Sequence, residues 1–99
     1  MPRSRALKLV WSQAARRDLI RLREFIEPHN PAAARRAAAL LRKAANLLQE
    51  QPGIGRRIEG REDRELSVPF GQRGYLLRYR LHEDTIVILR IWHGLEDRA

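Results

Sequence analysis

Five residues in the last two fifths of the chain carry side chains that could cleave a phosphodiester: Glu65, Arg78, Arg80, Arg90 and His93. A carboxylate or an imidazole can take the proton of an RNA 2′-hydroxyl, and another acid can protonate the leaving oxygen. Guanidinium groups stabilise the negative charge that develops at phosphorus. These residue types therefore suit cleavage of RNA, provided that the fold brings them together.

The predicted strand over residues 75–81 decides where two of these arginines point. Side chains on a strand alternate between faces, so Arg78 and Arg80 share one face with Leu76. The other face is apolar and aromatic, with Tyr75, Leu77, Tyr79 and Leu81. Because a buried guanidinium without a partner is costly, we expect the arginines to face water or a ligand.

The next predicted strand, residues 86–94, extends this surface. Alternation groups Arg90 with Ile86, Ile88 and Trp92, so these three are expected to be exposed beside the arginines. Arg and Trp are enriched among binding hot spots. The pattern predicts a surface that binds a partner, and a solvated sheet face with scattered apolar residues is the alternative. The predicted binding residues are Arg78, Arg80, Ile86, Ile88, Arg90 and Trp92.

Two of the candidate catalytic residues also have structural interpretations. Alternation places His93 on the face opposite the arginines, where it would close the sheet against a helix, although a bulge near Gly94 would reverse it. Glu65 is expected to form a cross-strand ion pair with Arg78 or Arg80. We favour these structural roles over catalysis.

A helical hairpin is predicted over about residues 12–51. Ser12 is a good N-cap, and the apolar residues after it recur at helical spacing on one face. These residues are Ala15, Leu19, Leu22 and Ile26. Asn30 and Pro31 supply the N-cap and first position of a second helix, which ends near Pro52.

Together these elements predict one α+β domain over residues 1–99 with the order β-α-α-β-β-β. A strand at residues 7–11 precedes the helices, a loop occupies residues 52–63, and β-hairpins occupy about residues 64–94. The helical hairpin is expected to cover one face of an antiparallel sheet. The sheet residues expected to meet it are Leu66, Val68, Phe70, Leu77, Tyr79, Val87, Leu89 and Ile91.

Charge is the main compositional signal. The chain has 20 Lys and Arg against 12 Asp and Glu, a formal charge of +8, and only Lys8 and Lys43 are lysine. Residues 1–50 hold 11 cations and 4 anions, whereas residues 51–99 hold 9 and 8. This imbalance favours an anionic partner, either nucleic acid or an acidic protein segment.

Several classes of protein receive no support. No cysteine is present, and His29, His82 and His93 are scattered, so neither a disulfide scaffold nor a metal site is expected. Gly53-Ile54-Gly55 lacks the context of a nucleotide-binding loop, so no cofactor is expected. No stretch could span a bilayer or act as a signal peptide, which predicts a cytoplasmic protein without a membrane partner.

Six short segments in the same order resemble one known family. They are Trp11-Ser12 with Ala15 and Asp18-Leu19, Asn30-Pro31, residues 52–56, residues 64–70, residues 75–79 and residues 88–94. The chain resembles the RelE/ParE superfamily of type II toxin-antitoxin toxins, in particular the ParE or plasmid-stabilisation branch. The resemblance implies a compact β-α-α-β-β-β toxin fold.

The resemblance also implies two alternative targets. RelE-like members are ribosome-dependent mRNA endonucleases with a lysine-rich loop and a late tyrosine, whereas ParE-like members inhibit DNA gyrase without chemistry of their own. This chain has no lysine after Lys43 and no tyrosine after Tyr79. We therefore expect a gyrase inhibitor that is not an enzyme. The alternative is an mRNA endonuclease that would use Glu65, Arg78, Arg80, Arg90 and His93.

The resemblance further implies a cognate antitoxin. Its disordered C-terminal tail would fold onto the toxin, covering the helices and adding to the sheet. A tail with alternating acidic and apolar residues would suit the predicted mixed surface of arginines and apolar side chains.

Overall fold

A computed structural model describes residues 7–71 and 73–94. The elements in chain order are β1 Lys8–Trp11, α1 Gln13–Ile26, α2 Pro31–Glu50, β2 Arg56–Arg57, β3 Arg64–Val68, β4 Tyr75–His82 and β5 Thr85–His93. The predicted α+β class and element order are confirmed. Within the predicted loop, the two residues of β2 pair with β3 and add a fifth strand.

The sheet has the strand order β1-β5-β4-β3-β2. The pairs β3–β4 and β4–β5 are antiparallel, as predicted, and so is the pair β2–β3, but β1 runs parallel to β5. The expectation of a purely antiparallel sheet is therefore wrong. The two strands are far apart in the chain, so no tight hairpin links them and a parallel pairing is allowed.

Local capping explains where the two helices begin. The Ser12 hydroxyl accepts a hydrogen bond from the Ala15 N–H at 3.0 Å, and the Asn30 side chain accepts one from the Ala33 N–H at 3.0 Å. Each side chain satisfies a donor that the first helical turn leaves without a partner. Pro31 occupies the first turn of α2, as predicted.

The core lies between the helical hairpin and one face of the sheet. The helices contribute mainly alanine and leucine, and the small alanines of α2 let it pack closely. The fully buried sheet residues are Leu77, Tyr79, Ile86, Ile88 and Ile91. The Tyr79 hydroxyl donates to the Pro52 carbonyl at 2.7 Å and accepts from the Gly55 N–H at 2.8 Å, which fastens the loop after α2 to the core.

A β-bulge in β5 changes which residues face the core. Arg78 pairs with Arg90, but Tyr79 pairs with Ile88, so Leu89 is an extra residue without a direct partner in β4. Alternation therefore reverses across the bulge. Residues 86 and 88 point toward the helices before it, and residues 91 and 93 do so after it.

The bulge corrects two sets of predictions for β5. Ile86 and Ile88 were expected beside the arginines, but both are fully buried in the core. Val87 and Leu89 were expected in the core, but both are only half-buried. Val87 lies opposite Arg80 instead. A strand with constant alternation cannot place both Ile88 and Ile91 on one face, whereas a bulged strand can.

Some predictions fall partly outside the described residues. The predicted turn at residues 71–74 includes Gln72, and the predicted domain includes residues 1–6 and 95–99, so the single domain over the whole chain stays a prediction.

Within the described residues, neither helix is long and apolar enough to cross a membrane. The same residues contain no group of three or more side chains that could hold a metal ion.

Candidate functional site

The sheet face opposite the helices carries the candidate functional residues, and we call it the arginine face. Strand pairing places these side chains on it: Glu65, Ser67, Leu76, Arg78, Arg80, Val87, Arg90 and Trp92. The predicted grouping of Arg78 and Arg80 with Leu76 is confirmed. Arg90 joins them because the bulge lies immediately before it.

Arg78 is fixed by Glu65, its cross-strand partner in β3. The Arg78 Nε and Nη2 donate to Glu65 Oε2 at 3.1 and 2.8 Å. The Glu65 side chain is only 4% exposed, and Arg56 approaches its other oxygen at 3.7 Å. The predicted ion pair between Glu65 and Arg78 is therefore confirmed.

Arg80 is fixed by Asp63, which precedes β3. The Arg80 Nε donates to Asp63 Oδ1 at 2.7 Å, and Arg61 donates to the other oxygen through its Nε at 2.8 Å. The Asp63 side chain is fully buried, while both guanidinium groups remain partly exposed. One buried carboxylate thus holds two arginines at the edge of the arginine face.

Arg90 is fixed by Asp18, which projects from α1. The Arg90 Nε donates to Asp18 Oδ2 at 2.8 Å, and its Nη2 donates to Oδ1 at 3.2 Å. Asp18 also accepts from the Ile91 backbone N–H at 2.8 Å and from Arg21 Nη2 at 3.0 Å. A helix residue therefore determines the position of a side chain on the opposite face of the sheet.

The same helix supplies partners for the backbone around the bulge. The Ser12 hydroxyl donates to the Leu89 carbonyl at 3.0 Å, and Arg21 Nη2 donates to the Ile91 carbonyl at 3.2 Å. A bulge disrupts the ladder locally, and buried backbone groups need replacement partners. With Asp18 accepting from Ile91, the start of α1 stabilises the bulge at both ends.

The two aspartates are ionised acceptors. Burial, the largest influence on Asp18, raises its pKa, but the hydrogen bonds from Arg90, Ile91 and Arg21 together lower that pKa below its ordinary value. The pKa of Asp63 is lowered as well, because hydrogen bonds from Arg61 and Arg80 outweigh the effect of burial, which raises it. Carboxylates with lowered pKa values are weak bases, so these groups suit a structural role.

Trp92 lies between two of the fixed arginines. The guanidinium carbons of Arg78 and Arg90 are 4.8 and 5.0 Å from the centroid of its ring, both within cation–π range. Trp92 is only 4% exposed. The prediction that Trp92 belongs with the arginines is confirmed, but the prediction that it is exposed is wrong, because its neighbours cover it.

His93 lies apart from the arginines. It pairs with Tyr75 across the strands, and its ring centroid is 5.6 Å from that of Tyr75 and 6.2 Å from that of Phe25 in α1. The structural interpretation of His93, closing the sheet against a helix, is therefore confirmed. Of the predicted catalytic set, the structure brings together Glu65, Arg78 and Arg90, with Arg80 two residues along β4 and His93 on the other side.

Sequence reasoning did not identify the roles of Asp18 and Asp63, although Asp18 gave a usable signal. Asp18 falls on the buried stripe of α1, between Ala15 and Leu22. A carboxylate on such a stripe requires a buried partner. Asp63 gave no such signal, because it stands in a loop without periodicity.

This arrangement can bind anions in a fixed geometry. Each guanidinium has five N–H donors in a rigid fork, and the buried carboxylates use only some of them. The remaining donors are held in place before any ligand arrives, which lowers the entropy cost of binding. Phosphate and carboxylate groups both match this geometry.

Comparison with known proteins agrees with this fold. The model of the family described as "ParE toxin of type II toxin-antitoxin system, parDE" matches residues 9–98. Toxin RelE1 of Caulobacter vibrioides is 45% identical over 87 residues, which cover 88% of this chain and 92% of that toxin.

Two solved structures share the fold. The chromosomal ParDE toxin-antitoxin system from P. aeruginosa matches with a TM-score of 0.76 at 25% identity, covering 91% of this chain and 98% of that one. The toxin-antitoxin complex RelBE2 from Mycobacterium tuberculosis matches with a TM-score of 0.61 at 25% identity, covering 95% and 98%.

Fold and relatives together define the class of protein: a type II toxin-antitoxin toxin of the RelE/ParE superfamily. Within that superfamily, the chain belongs to the ParE toxin family, whose model matches it almost from β1 to the end of the sequence.

Proposed function

We propose that this toxin acts by binding DNA gyrase and inhibiting it, and that a cognate antitoxin neutralises it. One observation carries the proposal: each arginine of the arginine face donates through its Nε to a carboxylate whose side chain is at most 5% exposed. Such arginines are held rigidly for binding. The carboxylates beside them serve as acceptors for these guanidinium groups, which suits binding rather than proton transfer.

Acid–base cleavage of RNA would need a proton acceptor aimed at the substrate beside the arginines. The three carboxylates next to them already accept hydrogen bonds from guanidinium groups, and the pKa values of Asp18 and Asp63 are lowered. His93 contacts Phe25 and Tyr75 on the side of the sheet that the helices cover. The predicted nuclease set is therefore divided between two faces.

The antitoxin part of the proposal is supported by the family and by the solved relatives. The family description names a toxin-antitoxin system, and the M. tuberculosis structure is a toxin-antitoxin complex. A formal charge of +8 suits an acidic partner segment. Val10, which is 47% exposed on β1 and pairs with Val87, gives the arginine face an apolar margin for such a segment.

A ribosome-dependent mRNA endonuclease is the second candidate. Two observations favour it: the 45% identical relative is named Toxin RelE1, and His82 is an exposed imidazole. Alternation along β4 places His82 on the arginine face, two residues beyond Arg80. His82 would then be the proton acceptor that His93 cannot be.

Two assays on the purified toxin separate the candidates. We expect inhibition of gyrase supercoiling, relief on adding antitoxin, and intact mRNA in a translating extract. Arg80→Gln should weaken gyrase inhibition about tenfold, the size expected for one charge-assisted hydrogen bond, while the exposed Arg17→Gln should not. Cleaved mRNA that becomes intact in His82→Ala, together with unaffected gyrase, would establish the nuclease instead.

A toxin with either target would act in the cytoplasm, where gyrase and ribosomes work. A role in plasmid stabilisation is part of the proposal for the case in which the toxin and its antitoxin are encoded together on a plasmid. Retention of a test plasmid that carries both coding sequences would measure this directly.

A further inference from the structure

The outer face of α2 carries a second, different group of cations. We call Arg35, Arg36, Arg42 and Lys43 the α2 stripe. Arg35 and Arg42 are seven residues apart, as are Arg36 and Lys43, so both pairs repeat after about two turns, or roughly 10 Å along the axis. All four are exposed on the side away from the buried alanines and leucines of the helix.

The charge of this stripe is not compensated locally. The helix contains no acidic residue before Glu50, its last residue. None of the four cations forms an ion pair or a side-chain hydrogen bond within the described residues. The full positive charge is therefore available to an outside partner.

We propose that the α2 stripe binds the phosphate backbone of nucleic acid. Its centre line consists of Ala32, Ala39 and Asn46, which are small residues that let a strand approach the cations. Protein partners usually need buried aromatic or aliphatic anchors. The large exposed apolar residue of α2 is Leu47, which stands at the margin of the stripe. Cations without an apolar centre match phosphates, which are recognised through charge and N–H donors alone.

A phosphate-binding stripe would serve the toxin whether gyrase or the ribosome is its target. Both act as complexes with nucleic acid, so the stripe would add sequence-independent affinity and faster association in either case. The arginine face and the α2 stripe lie on opposite sides of the molecule, because the helices cover the other face of the sheet. The toxin could therefore contact nucleic acid and a protein target at once.

The test measures binding of a short fluorescent DNA duplex of random sequence over a range of salt concentrations. One variant removes the stripe: Arg35→Gln, Arg36→Gln, Arg42→Gln and Lys43→Gln. The matched control removes four exposed arginines elsewhere that likewise have no ion pair within the described residues: Arg16→Gln, Arg17→Gln, Arg57→Gln and Arg73→Gln. Both variants have the same net charge.

We expect the stripe variant to lower the slope of log K against log salt by about 3 to 4, at roughly 0.9 for each phosphate that is no longer neutralised. Its affinity at low salt should fall about a hundredfold, and the control should lose less than tenfold. The half variants Arg35→Gln/Arg42→Gln and Arg36→Gln/Lys43→Gln should each give about half the change in slope, which keeps the test valid if the fourfold variant folds poorly.

Equal losses in the two fourfold variants would overturn the proposal, because binding would then follow net charge alone. Unchanged DNA binding in the stripe variant would also overturn it. If the stripe variant instead lost only its affinity for the antitoxin, the surface would be a protein interface. Failure of gyrase inhibition in the wild type would not affect these outcomes, since gyrase is absent from the binding measurements.

Discussion

The arginines of the sheet and those of α2 are the same residue type in opposite conditions. Arg78, Arg80 and Arg90 each donate through Nε to a buried carboxylate. Arg35, Arg36 and Arg42 stand on an exposed helix face without an ion pair in the described part of the chain. Both groups contribute to the positive charge, but only the first has a geometry fixed by the fold.

This difference separates two contributions to binding: hydrogen-bond donors at fixed positions, and long-range electrostatic attraction. Fixed guanidinium groups present N–H donors at defined positions, which favours one partner over another. Uncompensated cations on long side chains contribute mainly long-range attraction, which accelerates association and is screened by salt. A basic protein can therefore contain two functional surfaces that composition alone cannot distinguish.

Removing the carboxylate behind one fixed arginine should have the largest effect. Asp18→Ala leaves Arg90 and the buried Ile91 N–H without their acceptor. Because the Arg90 side chain is 43% exposed, the cost should be about 3 kcal/mol, the lower end of the range for a broken buried pair. We expect a loss of that size in the free energy of unfolding, measured by urea denaturation. Glu24→Ala, on the exposed side of α1, is the control and should change it by less than about 0.5 kcal/mol. A loss below about 1 kcal/mol in Asp18→Ala would contradict the account.

Arg78 and Arg56 both lie beside Glu65, and their removal should have different effects on the free energy of unfolding. Arg78 donates to Glu65 at 2.8 Å from a side chain that is 16% exposed, whereas Arg56 stands 3.7 Å away and is 80% exposed. Arg78→Ala should lower the free energy of unfolding by about 3 kcal/mol. Arg56→Ala should lower it by no more than about 0.5 kcal/mol, as exposed pairs do. If both variants lost similar amounts of unfolding free energy, hydrogen bonding to Glu65 would not distinguish Arg78 from Arg56.

The pH dependence of stability tests the ionisation of Asp18. Because its pKa is lower in the folded protein than in the unfolded chain, its contribution is complete above the unfolded value of about 3.9 and is lost as the pH falls through the folded value. The difference in unfolding free energy between wild type and Asp18→Asn should be constant from about pH 5 to pH 7 and should narrow below about pH 4. If the difference in unfolding free energy widened on acidification, the pKa of Asp18 would not be lowered in the folded protein.

Neutralising the α2 stripe should have the smallest effect on stability. Arg35→Gln with Arg42→Gln removes two exposed charges that contact no other described charged group, so the free energy of unfolding should change by less than about 0.5 kcal/mol. Thermal and urea denaturation can both measure this. A loss above about 1 kcal/mol would mean that Arg35 and Arg42 stabilise the fold, which would contradict their description as exposed cations without partners among the described residues.

Local signals made the helical hairpin and β4 predictable. Ser12 and Asn30 mark helix starts through hydrogen bonds to residues three positions later, and Pro31 fits the first helical turn. The two faces of β4 follow from alternation within one strand. The family resemblance added the fold as a whole. These features needed no information from distant parts of the chain.

Distant contacts explain what was not predicted. The bulge at Leu89 depends on Ser12 and Asp18, more than 70 residues earlier, so alternation alone placed Ile86 and Ile88 on the wrong face. The parallel pairing of β1 with β5 likewise joins the two ends of the chain. The acid on the buried stripe of α1 was the one sequence feature that could have indicated the bulge, because such an acid needs a partner.

The most direct test of the contrast between the two groups of arginines is NMR detection of their Nε–Hε groups near neutral pH, with assignment by single Arg→Lys variants. We predict sharp, slowly exchanging signals for Arg78, Arg80 and Arg90, whose Nε–H groups are bound to buried carboxylates. Signals of Arg35, Arg36 and Arg42 should be broadened by exchange with water. Equally fast exchange for all six would contradict the claim that the fold fixes the arginines of the sheet.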